Sequence, residues 1–571
     1  MELLNKLPLI ENVHVKATDI GKTATLDFEI ECQDLDKYSY LIEGKCGSSV
    51  FILKDKNHIV LDKPKLWNIR GYGKPNLYKI KVSLFKNNKL VETKRIKFGI
   101  RKIELKRSSV VKEDGQFEFH INDRKVFLLG TNWVPVDAIK HIDDERMSKT
   151  LDMVTDLGCN AIRVWGGGTY ESDLFYEKCD ELGIFVWQDF MMGCAVYPQD
   201  ELFQKSLAKE VNYIVKHLRN HPSICLWAGD NECDLAGLYW SRGLLKPNDN
   251  VLTRKIIPDI LNKIDNYRPY MPSSPYIDKY AEEHQGLGLS EDHLWGPRDY
   301  FKGEFYNNAT PYFTSETGYH ALNNLESLKK FLKSPWPLFT KMPPKYKEDK
   351  RELTDDNLST REYLCHCTSV VDDYKSPWEY RIRLLYNQVL TLFKNDIDNV
   401  DDFIMASQIS QAEALKYFIE RMRKEYHRNG GIIWWNILDG WPQISDAVVD
   451  YYFSKKLAYY YIKRSQMPTL LTLNEDGEDL NLYCISSEKN RHILRYEIID
   501  AYNDKVIDKG TIKTKPRDSY IFKKINAVEK TLLIIKYIDE NNKEYINHFH
   551  THIIDIDLYQ YVNTMKKYHL I

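Results

Sequence analysis

Ile224-Cys225-Leu226-Trp227-Ala228-Gly229-Asp230-Asn231-Glu232 reads as a compact apolar strand that runs out into small and acidic residues. Tyr312-Phe313-Thr314-Ser315-Glu316 repeats the pattern downstream, an apolar start followed by a glutamate. A short continuous apolar run is what a parallel strand covered on both faces requires. A carboxylate just past the end of such a strand lies where a (β/α)8 barrel carries its reactive groups. Glu232 and Glu316 therefore predict a fold and a chemistry together.

Working outward, Phe127-Leu128-Leu129-Gly130, Ala161-Ile162-Arg163-Val164-Trp165 and Ile184-Phe185-Val186-Trp187 are further apolar runs, and Ile432-Ile433-Trp434-Trp435 closes the series. Helical periods occupy 146–157, 171–182, 202–219 and 401–428. Strand and helix alternating in this way predict a β/α architecture. Gly158 and Gly183 stand directly after two of these helical periods, where left-handed C-caps belong. The barrel is expected over 106–466, with a Lys-, Pro- and acid-rich insertion at about 334–399 near its mouth.

The two flanks alternate with period two instead. Ala24-Thr25-Leu26-Asp27-Phe28-Glu29-Ile30 and Tyr78-Lys79-Ile80-Lys81-Val82-Ser83-Leu84 predict an antiparallel sandwich over 1–105. Leu480-Asn481-Leu482-Tyr483-Cys484-Ile485 and Leu532-Leu533-Ile534-Ile535-Lys536-Tyr537 predict another over 467–571. The expected fold class is multidomain, a central (β/α)8 TIM barrel flanked by two immunoglobulin-like β-sandwich domains.

Composition narrows the class of function. With 43% hydrophobic and 28% charged residues the chain is of ordinary globular make-up, and a formal charge of -2 gives no reason to expect nucleic acid as a partner. Met1-Glu2-Leu3-Leu4-Asn5-Lys6 lacks the apolar segment, about 7 to 15 residues, of a signal peptide. No run reaches the roughly 18 apolar residues of a membrane span. Ten scattered cysteines fit reduced thiols, so a cytoplasmic location without membrane attachment is expected. Cys365-His366-Cys367 has no second Cys/His cluster at zinc-site spacing and reads as packing; neither a metal nor an organic cofactor is expected. The 38 tyrosines and 12 tryptophans include rings suited to stacking on sugars, although most are expected to fill cores.

Two carboxyls facing one pocket suffice to hydrolyse a glycosidic bond with retention, about 5 to 5.5 Å apart, one as proton shuttle and one as nucleophile. Asn231, beside Glu232, is placed to donate to the hydroxyl next to the anomeric carbon. Arg163, inward-facing on its strand, is expected to hold Glu316 ionised, because a cation within about 4 to 6 Å favours the carboxylate. Glu232 needs the opposite, a carboxyl kept protonated by burial and a neighbouring negative charge.

The stretch from about Lys125 to Asp234 resembles the β-mannosidase branch of glycoside hydrolase family 2. The likeness rests on Gly130-Thr131-Asn132-Trp133-Val134-Pro135-Val136-Asp137, Arg163-Val164-Trp165-Gly166-Gly167-Gly168, Trp187-Gln188-Asp189-Phe190 and Asn231-Glu232. Ser273-Ser274-Pro275, Asp292-His293-Leu294-Trp295, Ser315-Glu316-Thr317-Gly318, Ala406-Ser407-Gln408 and Asp439-Gly440-Trp441-Pro442 extend it. The resemblance implies Glu232 as acid/base, Glu316 as nucleophile and Asn231 as hydroxyl ligand. It further implies that Trp133, Asp137, Trp165, His293, Trp295 and Trp435 line the sugar subsite. The substrate implied is an oligosaccharide or other β-glycoside, cut from its end, with β-mannoside the leading choice.

Three departures from the family pattern stand out. Family members usually begin with a jelly-roll domain, whereas this sequence starts at the sandwich; the expectation is an open site, cover by the insertion, or a separate polypeptide in that role. A homo-oligomer is equally open. Leu438 stands where the family usually has Asn, and Asp446 where it usually has Trp. These two bear on sugar choice, leaving β-galactoside, β-glucuronide and β-glucosaminide as alternatives within the family. A carbohydrate-binding protein with impaired catalysis is the alternative outside it.

Overall fold

The structure is a computed structural model, and it describes residues 9–140, 143–241, 243–333, 366, 377–395, 397, 399–477, 479–526 and 529–571. Most of the expected insertion, with Cys365 and Cys367, lies outside the described residues; its described part includes a helix, Pro377–Leu392. The chain forms two compact units, one of Met1–Ser109, Phe117–Val126 and Asn160–Leu289, the other of Val110–Gln116, Phe127–Cys159 and Ser290–Ile571.

Eight short strands carry the β/α pattern. They are β1 (Leu128–Trp133), β2 (Ala161–Val164), β3 (Phe185–Asp189), β4 (Ile224–Ala228), β5 (Tyr270–Met271), β6 (Glu291–His293), β7 (Phe313–Glu316) and β8 (Gly431–Trp434). In the first unit β2 to β5 pair in sequence order, all parallel. In the second, β1 pairs β8, β8 pairs β7 and β7 pairs β6, again all parallel. Each unit thus holds four of the eight parallel strands that a (β/α)8 barrel contains.

The helices form where the period predicts them. After β1 comes α1 (Asp144–Asp156), after β2 α2 (Asp173–Leu182), after β3 α3 (Glu201–Leu218), and before β8 the long α4 (Val400–Lys424). Asp200 starts α3 by accepting from the N–H of Leu202 and Phe203 at 2.9 and 3.0 Å. Gly183 ends α2 in the left-handed conformation, φ 70°, as the sequence predicts for a C-cap. Gly431 is required by proximity: a Cβ there would lie 2.4 Å from the Leu128 carbonyl oxygen, the strand partner of β8.

The first unit also contains the expected sandwich. One sheet is built from Ile10–Thr18, Thr23–Cys32 and His58–Asp62, the other from Ser49–Lys54, Ser39–Cys46, Tyr78–Lys86 and Lys89–Phe98. Its alternating residues Val13, Val15, Leu26, Phe28, Ile42, Tyr78, Ile80 and Val82 meet in one core. A small sheet of Ile103–Arg107, Phe117–Ile121 and Arg124–Val126, not foreseen from the sequence, stacks Phe117 and Phe119 on Trp187 and Phe185 of β3. The second unit carries the other sandwich, with sheets of three and four strands closed over Leu471, Leu482, Leu494, Ile498 and Ile535.

One expectation is corrected. Glu316 is the last residue of β7, not a residue beyond it, because Thr314 and Ser315 are buried strand residues despite their polarity. Strands β5 and β6 arise at Tyr270–Met271 and Glu291–His293, where no apolar run marks them.

Candidate active site

In the first unit the site is built at the end of β4. Gly229 lets the chain turn against its neighbour, since a Cβ there would lie 2.2 Å from the Pro272 carbonyl oxygen. Asp230 is fully buried and accepts from the Cys233 N–H at 3.1 Å; burial, then the charge of Asp234, pushes its carboxyl above the usual range. Asn231 and Glu232 are pinned by main-chain bonds on both sides. Asn231 N–H donates to the Met192 carbonyl at 2.9 Å, and Glu232 N–H to the Ser274 carbonyl at 2.8 Å. Glu232 is buried and sits in the left-handed region at φ 58°, ψ 13°.

The Asn231 side chain is fixed at both ends. Its Oδ1 accepts from Arg163 Nη2 at 2.7 Å, and its Nδ2 donates to Cys194 Sγ at 3.3 Å. Arg163 projects from β2 with a fully buried side chain, and the same Nη2 donates to Asp189 Oδ2 at 2.9 Å. Asp189 also accepts from Gly166 N–H and Trp187 Nε1, each at 3.0 Å. Within its own unit, then, Arg163 orients Asn231 and neutralises Asp189, where the sequence suggested a role beside Glu316. Trp165, half-buried after β2, lays its ring over Gly167; a Cβ on that glycine would come within 2.1 Å of the ring.

In the second unit Glu316 ends β7, 3% exposed. Its Oε2 accepts from Trp295 Nε1 at 2.9 Å and lies 3.4 Å from His293 Nδ1. Leu294 N–H donates to the Glu316 carbonyl at 2.7 Å, so the turn after β6 is tied to the nucleophile candidate through both main chain and side chains. Trp295 packs on Gly318, meets Trp435 edge to face at 6.1 Å, and has the Arg298 guanidinium 4.3 Å from its ring. Glu316, His293, Trp295 and Trp435 lie together in this unit.

Trp133 and Asp137 belong to β1 and its following loop. Trp133 is fully buried. Asp137 accepts from Ile139 N–H, Lys140 N–H and Tyr451 Oη, each at 2.9 Å. Against burial, the Lys140 and Ile139 N–H groups hold its carboxyl below the usual range. Of the two departures, Leu438 is a core residue and Asp446 is buried 3.4 Å from His320 Nε2. Sequence reasoning missed Asp189 as the partner of Arg163, and it missed Cys194 beside Glu232. Asp189 carries the signal of a charged residue at the end of an apolar strand; Cys194 carries none.

Comparison with known proteins bears on this arrangement. Residues 10–101 match the model of glycosyl hydrolases family 2, and residues 111–250 match the family 2 TIM barrel domain. The chain is 29% identical over 514 residues to β-mannosidase B of Aspergillus oryzae, covering 85% of this chain and 57% of the relative. It resembles the glycosyl hydrolases of family 2 over both of these segments. Another β-mannosidase B, from Thermothelomyces thermophilus, is 30% identical over 430 residues, 72% of this chain and 47% of that one. Among solved structures, the chain superposes on a β-D-mannosidase from Dictyoglomus thermophilum with a TM-score of 0.79 at 28% identity, covering 96% of this chain and 66% of that one. An exo-chitosanase from Amycolatopsis orientalis shares the fold at 16% identity, with a TM-score of 0.68 over 94% of this chain and 63% of that one. The chain spans about half the length of the curated relatives it matches.

Proposed function

We propose that this protein is a retaining exo-β-glycosidase, and specifically a β-mannosidase, with Glu316 as nucleophile and Glu232 as acid/base. The observation that carries the reading is the Trp295 N–H and the His293 ring converging on one oxygen of the buried Glu316, which holds that carboxylate in a fixed orientation at a strand end. The family relationship and the anchored Asn231-Glu232 pair support it.

In this mechanism protonated Glu232 gives its proton to the glycosidic oxygen while a Glu316 oxygen attacks the anomeric carbon, so the aglycone leaves as an alcohol and the sugar is held as an ester. Glu232, now ionised, takes a proton from water; the water oxygen attacks the same carbon, releases Glu316 and restores the starting configuration. Asn231 donates to the neighbouring hydroxyl through Nδ2, its carbonyl being occupied by Arg163. The expected substrate is the terminal β-mannosyl residue of an oligosaccharide, and reduced cysteines support a cytoplasmic setting.

The test is covalent trapping. Incubation with an activated 2-deoxy-2-fluoro-β-mannoside, followed by peptide mass spectrometry, should place one sugar on the peptide that contains Glu316. Full turnover of an aryl β-mannoside by both Glu316→Ala and Glu232→Ala would falsify the assignment.

A further inference from the structure

Cys194 lies between the two residues on which the acid/base step depends. Its thiol donates to Glu232 Oε2 at 3.5 Å and accepts from Asn231 Nδ2 at 3.3 Å. Its own N–H donates to the Asn231 carbonyl at 2.8 Å, and Gly193 bridges to Asn231 in strand fashion. The direction of the contacts is set by chemistry, because an ionised carboxylate only accepts and an amide nitrogen only donates. A chain of donors follows: Arg163 to Asn231, Asn231 to Cys194, Cys194 to Glu232.

The backbone adds an independent sign. Cys194 has φ 55° and Glu232 φ 58°, a region that side-chain-bearing residues adopt with strain and that glycine adopts freely. Both strained residues carry side chains that touch each other. Cys179, Cys225 and Cys233 of this unit are buried and its Cys32 and Cys46 partly so, whereas Cys194 is exposed and does not serve as core filling.

We infer that Cys194 is a positioning residue that sets the orientation and proton affinity of Glu232. The inference rests on Glu232 being the acid/base. A hydrogen bond given to a carboxylate favours its ionised form. A thiol is a weak donor, so it steadies the carboxylate without holding it ionised, which suits a group that must carry a proton at the start of each turnover. Titratable or charged groups of this unit near the pair include Tyr197, Asp230, Cys233 and Asp234, with Arg163 reaching it through Asn231. All of them stay in place when only the thiol is changed.

The test compares Cys194→Gly, Cys194→Ser and Glu232→Gln with the unaltered protein, using aryl β-mannosides of poor and good leaving group. Glycine removes the donor and suits the left-handed backbone, so the variant is expected to fold. Its basic limb of kcat/KM should move to higher pH by about half a unit, the equivalent of one weak hydrogen bond. kcat on the poor leaving group should fall more than kcat on the good one. Serine restores a donor and should bring the limb back to its original position or lower. Unmoved limbs in Cys194→Gly, with Glu232→Gln inactive on the poor leaving group, overturn the inference while leaving Glu232 as acid/base. An equal loss on both substrates with unmoved limbs does the same. Full activity of Glu232→Gln removes the acid/base assignment itself, and the role of Cys194 with it.

Discussion

Trp295 donates its indole N–H to Glu316 at 2.9 Å, and the two residues are tied again by the main chain next door, Leu294 N–H to the Glu316 carbonyl at 2.7 Å. In its proposed role as nucleophile, Glu316 would attack along one line and would gain from losing its rotational freedom beforehand. The bond is charge-assisted when Glu316 is ionised, and bonds of that kind contribute about 1.5–3 kcal/mol. Trp295→Phe keeps most of the ring that packs on Gly318 and removes the donor. It should lower kcat/KM for an aryl β-mannoside by about 10- to 100-fold while the melting temperature stays near that of the parent protein. Equal activity would mean that the indole only packs.

Arg163 and Asp189 make a fully buried ion pair at 2.9 Å, and Asn231 depends on the same guanidinium. Removing one partner of such a pair leaves a charge stranded in the interior, at a cost of about 3–5 kcal/mol. Arg163→Met should therefore unfold at lower denaturant and lose activity through a misaligned Asn231. Arg163→Met combined with Asp189→Asn should recover part of the stability, since no lone charge remains, but not the activity. Denaturation midpoints for the four proteins of this double-mutant cycle separate the two effects. If the double variant is as unstable as the sum of the singles, the pair is not coupled.

How much of this was legible in the sequence follows from where the signals lie. Strands β2, β3 and β4 announce themselves as Ala161–Val164, Phe185–Asp189 and Ile224–Ala228 because parallel strands covered on both faces must be apolar throughout. Glu232 and Glu316 were legible as acids beside such runs. Strand β6, Glu291–His293, was not, because it is short and its residues are polar. The same cause hid the true end of β7, whose Ser315 and Glu316 are buried although their side chains are hydrophilic. Arg163 was legible as an inward cation, but its partner Asp189 sits 26 residues on and on another strand, a pairing that local periodicity does not encode. Cys194 gave no signal, because its position beside Glu232 comes from the loop after β3 folding onto Asn231.

Gly166 stands within the Arg163 to Gly168 motif because nothing larger fits. A Cβ there would lie 2.5 Å from the Met192 carbonyl oxygen and 2.9 Å from that of Phe190, both main-chain atoms that cannot swing aside. Met192 is also the acceptor for Asn231 N–H. Gly166→Ala should cost about 1–3 kcal/mol of stability, as overpacking does, and its displacement of Met192 should carry into Asn231. Activity is therefore expected to fall further than the lost stability explains, which thermal melts and kcat/KM measured at a temperature where the variant is folded will show. A stable and fully active variant would mean that the loop after β3 yields without consequence for Asn231.

Asp439 offers a prediction in pH. It is fully buried, its Oδ1 accepts from Gln443 Nε2 at 2.8 Å, and burial pushes its carboxyl up to about 6, with the Lys456 ammonium and the Ser445 and Gln443 donors opposing the rise. An unfolded-state Asp titrates at about 3.9. Between those values the folded protein holds a proton that the unfolded chain has released. Stability linked to Asp439 is therefore fully present below about pH 4, falls as pH rises through 6, and is flat above that. About two units of difference correspond to an effect on the order of 2–3 kcal/mol. Asp439→Asn stays neutral throughout and retains the oxygen that Gln443 needs. The difference in melting temperature between parent and variant should accordingly shift in the variant's favour from pH 4 to pH 7 and then level off. A difference that is constant over this range would show that Asp439 titrates alike in the folded and unfolded chains, and that Lys456 and its hydrogen bonds offset the whole cost of burying it.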